Sequence, residues 1–565
     1  SRDIVDELSK ACRKGGIRFG LYFSLIDWHY PYAYPISSSN ADPITPEHHR
    51  YNMEQVRELL TRYGDISELW FDMGSLTPDQ SRDLYTLVHS LQPDCMVSGR
   101  LGNDQYDFCV MGDNAFPSGT LKTAWQTPAS MFSETWGYRS WQERGSVEAK
   151  AAEKLRSLAG VVSHGGNYLL NIGPKGDGSV VDFEKDVLLM VGEWLRTSQD
   201  AIYGAEAFEW PGLGDSVFTT RKGNELYIIP SDVPNATSIS LPVTGRKLLR
   251  AVYFDDNSPA PASIKAGVLK VDIPPVTPEE FPRVVRLTFD SPVEEPLSNV
   301  LKTSGKPLLL TAANATEDNS YSCFDYYTNY RSVIGYRWNF TGIQAKTLEL
   351  SFTEDKIGKE VEIEVDGRVY TAVLSADHPV ILSSEGAGWS DTYYSVQRGS
   401  FSRRLPSRTY TLESTDASVQ FEKTDKQILT KALPNTTVYI ARDVTVDRDC
   451  EAVVEFAAGN GVEVLLNGES LLKHLNPYHE TNRQEKVLVH LKAGVNQILV
   501  GAFNKWEKSV PLVLKPSQDN TIYKMTVKLD SSLSRNGVHS IHLKPAKMLN
   551  SHSDIEMSDI EIKVL

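Results

Sequence analysis

The sequence predicts a multi-domain chain: a (β/α)8-like (TIM) barrel, N-terminally incomplete, followed by all-β sandwich domains. Three observations predict it. Up to about residue 200, helical periodicity alternates with short apolar strands, the pattern of a parallel sheet with crossover helices. Beyond Ile202-Tyr203-Gly204 the texture changes to short alternating strands punctuated by Pro and Gly, as in antiparallel sandwiches. Third, the apolar strand Leu69-Trp70-Phe71 ends on a carboxylate, Asp72, ahead of Met73-Gly74. Barrel enzymes keep their chemistry at the carboxyl ends of parallel strands. The competing readings of Asp72 are an N-cap for the helix that follows and a plain solvated loop carboxylate.

Taken in order, the periodicity predicts a helix over 2–14, a strand over 17–24, a helix over 47–63 and a strand over 66–71. A helix over 79–91 and a strand over 95–98 follow, then short apolar pieces at 108–111 and 123–126. A helix over 147–162, a strand over 168–172 and a helix over 182–196 complete the region. That is about six strands, where a closed barrel takes eight. Two strands are therefore expected to be missing ahead of Ser1. The predicted domains are a barrel over 1–202, a β-sandwich over 203–290, a second sandwich module over 297–414 and a jelly-roll module over 415–565. Ser291-Pro292-Val293-Glu294-Glu295-Pro296 reads as a linker, and Asn467-Gly468 between alternating runs as a hairpin turn.

The 565 residues exceed what one core supports. A net charge of −15 argues against nucleic acid or an anionic membrane as partner, because both require clustered Lys and Arg. A neutral polar substrate fits better. No apolar run reaches the roughly 18 residues of a membrane span. The chain starts at Ser1 inside a helical pattern, so a processed or cut N-terminus is expected and a missing signal says nothing about export. Cys12, Cys95, Cys109, Cys323 and Cys450 are scattered, odd in number and free of C-x-x-C pairs, so neither a disulfide framework nor a zinc site is expected. His164, His474 and His479 lack convergent carboxylates; the expectation is no metal and no cofactor.

Several pieces together resemble glycoside hydrolase family 29, the retaining α-L-fucosidases: Gly20-Leu21-Tyr22-Phe23-Ser24 with Asp27-Trp28, Leu69-Trp70-Phe71-Asp72, Thr135-Trp136-Gly137-Tyr138, and Gly165-Gly166-Asn167-Tyr168-Leu169-Leu170-Asn171-Ile172-Gly173-Pro174. The resemblance covers residues 1 to about 290 and implies an exo-acting enzyme that removes terminal fucose from glycans. It makes Asp72 the nucleophile of a double displacement, with a second carboxyl group about 5.5 Å away to protonate the departing oxygen. It also implies sugar contacts from Tyr22, Trp28, Arg100, Trp125, Gln126 and Trp136, with Arg100 holding Asp72 ionised. Asn171 is expected to shape its loop rather than touch sugar.

The sequence departs from the family in two places. Where members often carry Trp-Glu, with the Glu as acid and base, this chain has Trp125-Gln126, and a Gln cannot donate a proton. Glu134 is the substitute the sequence offers, with Glu143 behind it; as an acid it would have to be kept protonated by burial or a like charge. The family's H-W-G and His-His motifs are absent, and His48-His49 reads as a surface pair at a helix start. In the C-terminal half, Tyr326, Tyr327, Tyr330, Trp389, Tyr393 and Tyr394 are read as sandwich core and domain contacts, with stacking on sugars as the alternative. Three functions compete: a retaining α-L-fucosidase, a catalytically impaired carbohydrate-binding relative, and a different retaining glycosidase of related fold. By analogy, export to a periplasm, cell surface or extracellular space is expected.

Overall fold

The computed structural model describes residues 2–31, 42–103, 105–117, 119–121, 123–210, 213–243, 245–295, 297, 299–321, 331–383, 387–390, 393–399, 422–424, 428–429, 436–457, 459, 461–475, 484–504, 508–549, 552–553, 557 and 559–565. Its contacts divide the chain into two compact units, one of residues 1–106 with 298–565, the other of residues 107–297.

The first unit opens with α1 (Ile4–Gly15), β1 (Gly20–Ser24), α2 (Pro46–Arg62), β2 (Glu68–Asp72), α3 (Pro78–Leu91) and β3 (Met96–Val97). Local chemistry sets the helix ends. The Asp3 side chain accepts from the Asp6 N–H to start α1, and Gly16 in the left-handed region ends it. Thr77 and Gln80 form a reciprocal capping box at α3, with Pro78 in the first turn. Thr77 is thus the N-cap of that helix, and Asp72 is free of that duty. The three strands form a parallel sheet in the order β1-β2-β3, with Tyr22 opposite Trp70 and Ser24 opposite Asp72. Leu69 and Phe71 point to the face covered by helices, where they join Val56, Leu60, Leu84, Val88 and Val97 in one core. The stripe of α1 that carries Ile4 and Leu8 is exposed.

The β-rich part of this unit departs from the contiguous modules expected. Strand 345–352 pairs antiparallel with 521–533, and 360–365 with 538–545, so the end of the chain returns to complete the sandwich begun near residue 300. Trp338, Phe340, Leu350, Phe352, Ile541 and Ile562 share its core. Strands 393–399 and 388–389 pair instead with 436–446, inside a jelly-roll whose core holds Val438, Phe456, Val464, Val489 and Val500. The expected boundary at 414/415 is corrected accordingly: one sandwich is interrupted by the other. Pairing partners some 180 residues apart leave no local signal, because each strand's alternation records that a face is buried and not what buries it.

The second unit begins with β4 (Cys109–Val110), β5 (Trp125–Ser130), α4 (Val147–Ser163), β6 (Asn167–Asn171) and α5 (Asp182–Ser198). The strands form a second parallel sheet, β4-β5-β6. An antiparallel sandwich follows, of a five-stranded and a three-stranded sheet spanning Glu206–Ala207 to Val285–Phe289. Helices and sandwich share a core: Leu155, Ala159 and Trp194 pack with Phe218, Tyr227 and Ile229, and the Trp194 indole donates to the Pro282 carbonyl at 2.7 Å. Among the described residues each unit thus holds one three-stranded parallel sheet with its helices, and antiparallel sandwiches. No described helix is long and apolar enough to cross a membrane. Tyr326, Tyr327, Tyr330 and Cys323 lie outside the described residues, as do the side chains of Tyr393 and Tyr394; Trp389 packs against Arg442, 5.1 Å from guanidinium to ring, as a core contact.

Gly166 is where this packing leaves no room for a side chain. A Cβ there would lie 2.4 Å from the indole of Trp125. Gly166→Ala is expected to cost about 1–3 kcal/mol, the usual range for overpacking. Thermal unfolding followed by near-ultraviolet circular dichroism checks this, and an unchanged melting temperature contradicts it.

Candidate active site

The period-2 geometry of β2 puts Trp70 and Asp72 on one face and Leu69 and Phe71 on the other. Because Tyr22 is opposite Trp70 in register, its ring stacks on the indole, with centroids 5.9 Å apart and planes at 22°. Its phenol then reaches forward and donates to Asp72 Oδ2 at 2.9 Å. From the other side Arg100, on the one-turn 3-10 helix Gly99–Leu101 after β3, donates Nη1 to Asp72 Oδ1 at 3.2 Å. The guanidinium also sits 4.9 Å from the Trp70 ring centroid, a cation–π contact. Ser98 fixes the base of that turn, accepting from the Phe71 N–H at 2.9 Å. Each oxygen of Asp72 therefore has its own donor, and both donors rest on one indole.

The backbone turns sharply after the carboxylate. Met73 and Gly74 are both left-handed, at φ 62° and 77°, and a Cβ on Gly74 would come within 2.8 Å of Ile44. The Leu25 N–H bonds the Asp72 carbonyl at 2.8 Å, so the loop leaving β1 is tied to the end of β2. That loop carries Asp27 and the exposed Trp28.

Two buried polar side chains on α2 hold the loop. Asn52 donates to the Leu25 carbonyl at 2.8 Å, and His48 Nε2 accepts the Asp27 N–H at 3.2 Å. His48 and Asn52, four residues apart, face the same way. The expectation of a surface His48-His49 pair is corrected here: both rings are buried, and His49 Nε2 lies 3.3 Å from Asp83. The helix starts where the sequence predicts, but its first turn faces the β1 loop rather than water. Burial pushes the His48 imidazole below its ordinary pKa, with Asp27 opposing. The i, i+4 spacing of His48 and Asn52 was the available sequence signal.

The remaining predicted residues lie in the second unit. Trp125 is fully buried at the start of β5, its indole N–H directed at the His164 carbonyl and its ring against Gly166. It is a packing residue, which corrects its expected role as a sugar contact. Gln126, next on the strand, is nearly buried, and its carbonyl accepts the Met111 N–H at 3.0 Å. After β5 the chain enters a loop with Glu134 exposed and Trp136 and Tyr138 about two-fifths exposed. The condition expected for an acid at Glu134 is not met. Its own backbone N–H, then the Ser133 hydroxyl, hold the carboxyl below the ordinary carboxylate value, with Gln142 and Lys150 adding to the effect. Glu143 is exposed as well.

The glycine-rich strand end and the Trp136-Gly137-Tyr138 triplet meet in space. Asn171 Nδ2 donates to the Trp136 carbonyl at 2.7 Å, the loop-shaping role the sequence predicts for it. A Cβ on Gly173 would lie 2.8 Å from the Tyr138 nitrogen, so only glycine admits this contact, while the Gly173 N–H donates to buried Glu184 at 2.9 Å. Among the described residues no three His, Cys, Asp or Glu side chains converge as a metal site would require.

The neutral state of His48 is the one that accepts the Asp27 N–H. With its folded pKa depressed, its stabilising contribution is complete above the unfolded value of about 6.5 and is lost as pH falls through the folded value. The stability difference between wild type and His48→Gln is therefore expected to be largest above pH 6.5 and to shrink on acidification. Chemical denaturation across pH 4.5–8 measures it, and a pH-independent difference contradicts it.

Residues 1–200 match the family described as Alpha-L-fucosidase. Tissue alpha-L-fucosidase of Bos taurus is 32% identical over 253 residues, covering 42% of this chain and 53% of its own length. Plasma alpha-L-fucosidase of Homo sapiens is 31% identical, covering 38% and 48%. The chain thus spans about half the length of these curated relatives. A solved Thermotoga maritima alpha-fucosidase, in complex with a mechanism-based inhibitor, is 30% identical over 51% of this chain and 68% of that one, at a TM-score of 0.41. Through residues 1–200, the chain belongs to the alpha-L-fucosidase family, glycoside hydrolase family 29.

Proposed function

We propose that the chain hydrolyses terminal α-L-fucosides with retention of configuration, and that Asp72 is the nucleophile. The observation that carries this reading is the pair of donors, Tyr22 and Arg100, converging on a carboxylate at the end of a parallel strand. In the first step an Asp72 oxygen bonds to the anomeric carbon as the glycosidic C–O bond breaks, giving a fucosyl ester and a leaving alkoxide or alcohol. In the second, water attacks the same carbon, a base takes its proton, and the ester bond breaks to return Asp72 and release fucose. Tyr22 and Arg100 orient the carboxylate before attack and stabilise it as it leaves in the second step. Relatives named for fucosidase activity support this assignment of substrate.

Proton handling is the part of this proposal most specific to this chain. Gln126 occupies the place where the resemblance puts the acid, and Glu134 is held ionised, a state suited to a base and not to a donor. Glu134 is proposed as the base of the second step, with the first step running on leaving groups that need little protonation. The proposal includes a barrel whose remaining two strands lie outside the six described, and export to a periplasm, cell surface or extracellular space, supported by a relative named for plasma. A second reading, a carbohydrate-binding protein with impaired catalysis, is favoured by Gln126 alone.

Turnover of an aryl α-L-fucoside by the full-length product of the gene tests the proposal. Asp72→Ala is expected to abolish it. Tyr22→Phe, which removes one charge-assisted hydrogen bond, is expected to lower kcat about 10- to 100-fold. Gln126→Glu is expected to raise kcat/KM about 10²- to 10⁴-fold on alkyl and oligosaccharide fucosides and little on activated aryl ones. Fucose binding with no turnover by either wild type or Gln126→Glu supports the second reading instead, and full activity in Asp72→Ala overturns the nucleophile assignment.

A further inference from the structure

The loop that leaves β1 is a braced perch for one aromatic ring, in the same unit as Asp72 and tied to it. Ser24 is level with Asp72 in the register of the sheet, and the next N–H, that of Leu25, donates to the Asp72 carbonyl at 2.8 Å. Three residues further along the chain comes Trp28, 42% exposed, so its Cα stands at most about 11 Å from that of Leu25. Trp28 is the second residue of the turn Asp27–Tyr30, which the Tyr30 N–H closes on the Asp27 carbonyl at 3.1 Å. The turn is held from several sides. The His29 N–H donates to Asp27 Oδ1 at 2.9 Å, the Asp27 N–H to buried His48 at 3.2 Å, and the Tyr30 ring stacks on Tyr51 of α2 with centroids 4.3 Å apart and planes at 12°. Asn52, on the same helix, holds the Leu25 carbonyl. Thus α2 fixes the loop at Leu25, at Asp27 and at Tyr30, and Trp28 rides on the held segment. A large apolar ring on a braced turn is already ordered for a ligand, so binding there orders little further backbone.

We propose that Trp28 is a stacking platform for the sugar unit that bears the fucose, so that it selects the acceptor side of the glycan. This inference rests on the fucosidase reading. In that reaction Asp72 bonds to the terminal sugar, which therefore sits against the strand end, and the rest of the glycan leads outward. β1 and β2 run parallel with Ser24 opposite Asp72, so the loop that continues from Ser24 leaves from the carboxyl end of the sheet, where parallel-strand enzymes assemble their sites. The surroundings favour a sugar over a protein partner. Leu25 and Ile26 are buried, while the residues flanking Trp28 are Asp27 and the fully exposed His29. The centre of a protein interface is depleted in charge and contiguous in apolar surface. A pyranose offers an apolar C–H face for the indole and hydroxyls for the flanking imidazole and carboxylate.

The test compares the full-length wild type, Trp28→Ala and Trp28→Phe on a fucosylated trisaccharide and on α-L-fucosyl fluoride, whose one-atom leaving group places no ring on the acceptor side. Trp28→Ala is expected to lower kcat/KM for the trisaccharide about 3- to 10-fold more than for the fluoride, the extra loss falling in KM, with Trp28→Phe restoring most of it. Equal losses on the two substrates, or no loss on either, overturn the platform and leave the fucosidase reading standing. If wild type turns over neither substrate, the fucosidase reading fails, and saturation-transfer NMR with the same trisaccharide decides the platform. Transfer to protons of the sugar that bears the fucose, abolished by Trp28→Ala, upholds it; no transfer, or transfer insensitive to the substitution, overturns it.

Discussion

The feature on which the first unit's site depends is the carboxylate of Asp72 divided between two donors that share one aromatic floor. Tyr22 comes from β1 and Arg100 from the turn after β3, on opposite sides of β2, and both side chains lie against the ring of Trp70. A charge-assisted bond at each oxygen fixes the orientation of the carboxylate, whereas one bond would leave it free to turn. The strand itself supplies the rest: alternate residues Leu69 and Phe71 lock into the helix-covered core, so the Asp72 backbone cannot shift without disturbing that packing.

Around this clasp the polar side chains that look out of place prove to be fasteners. His48 and Asn52 are buried on α2 because the loop after β1 offers an N–H and a carbonyl there that strand pairing does not satisfy. In the second unit Gly166, Gly173 and Asn171 serve a comparable end. Two glycines let Trp125 and the Tyr138 backbone approach, and the amide secures the Trp136 carbonyl. The glycine-rich stretch around β6 is a packing device.

Much of the fold was legible in the residues. Helices over 46–62, 78–91, 147–163 and 182–198 and the strands between them follow the periodicity within a few positions. So does the change to antiparallel strands near residue 206. The clasp was legible in outline, since Tyr22, Asp72 and Arg100 each fall at the end of, or just beyond, an apolar run, but their meeting depends on strand register, which a single sequence does not record. The burial of Trp125 was not legible for a related reason, and that of His48 only through its i, i+4 spacing to Asn52: whether a polar or aromatic residue faces water or a neighbouring element is decided by what packs on that face. The interrupted sandwich leaves no mark in the sequence because the strands that complete it, 521–533 and 538–545, look locally like any others.

The central claim, that Asp72 attacks the anomeric carbon, is tested most directly by trapping the ester it forms. A fucosyl fluoride bearing a second fluorine at C2 slows both steps but spares the first through its good leaving group. Incubated with the full-length protein and followed by peptide mass spectrometry, it is predicted to leave one fluorofucosyl group on the peptide containing Asp72, and none in Asp72→Ala. Labelling at another carboxylate, or no label while the aryl fucoside is still hydrolysed, would contradict the account.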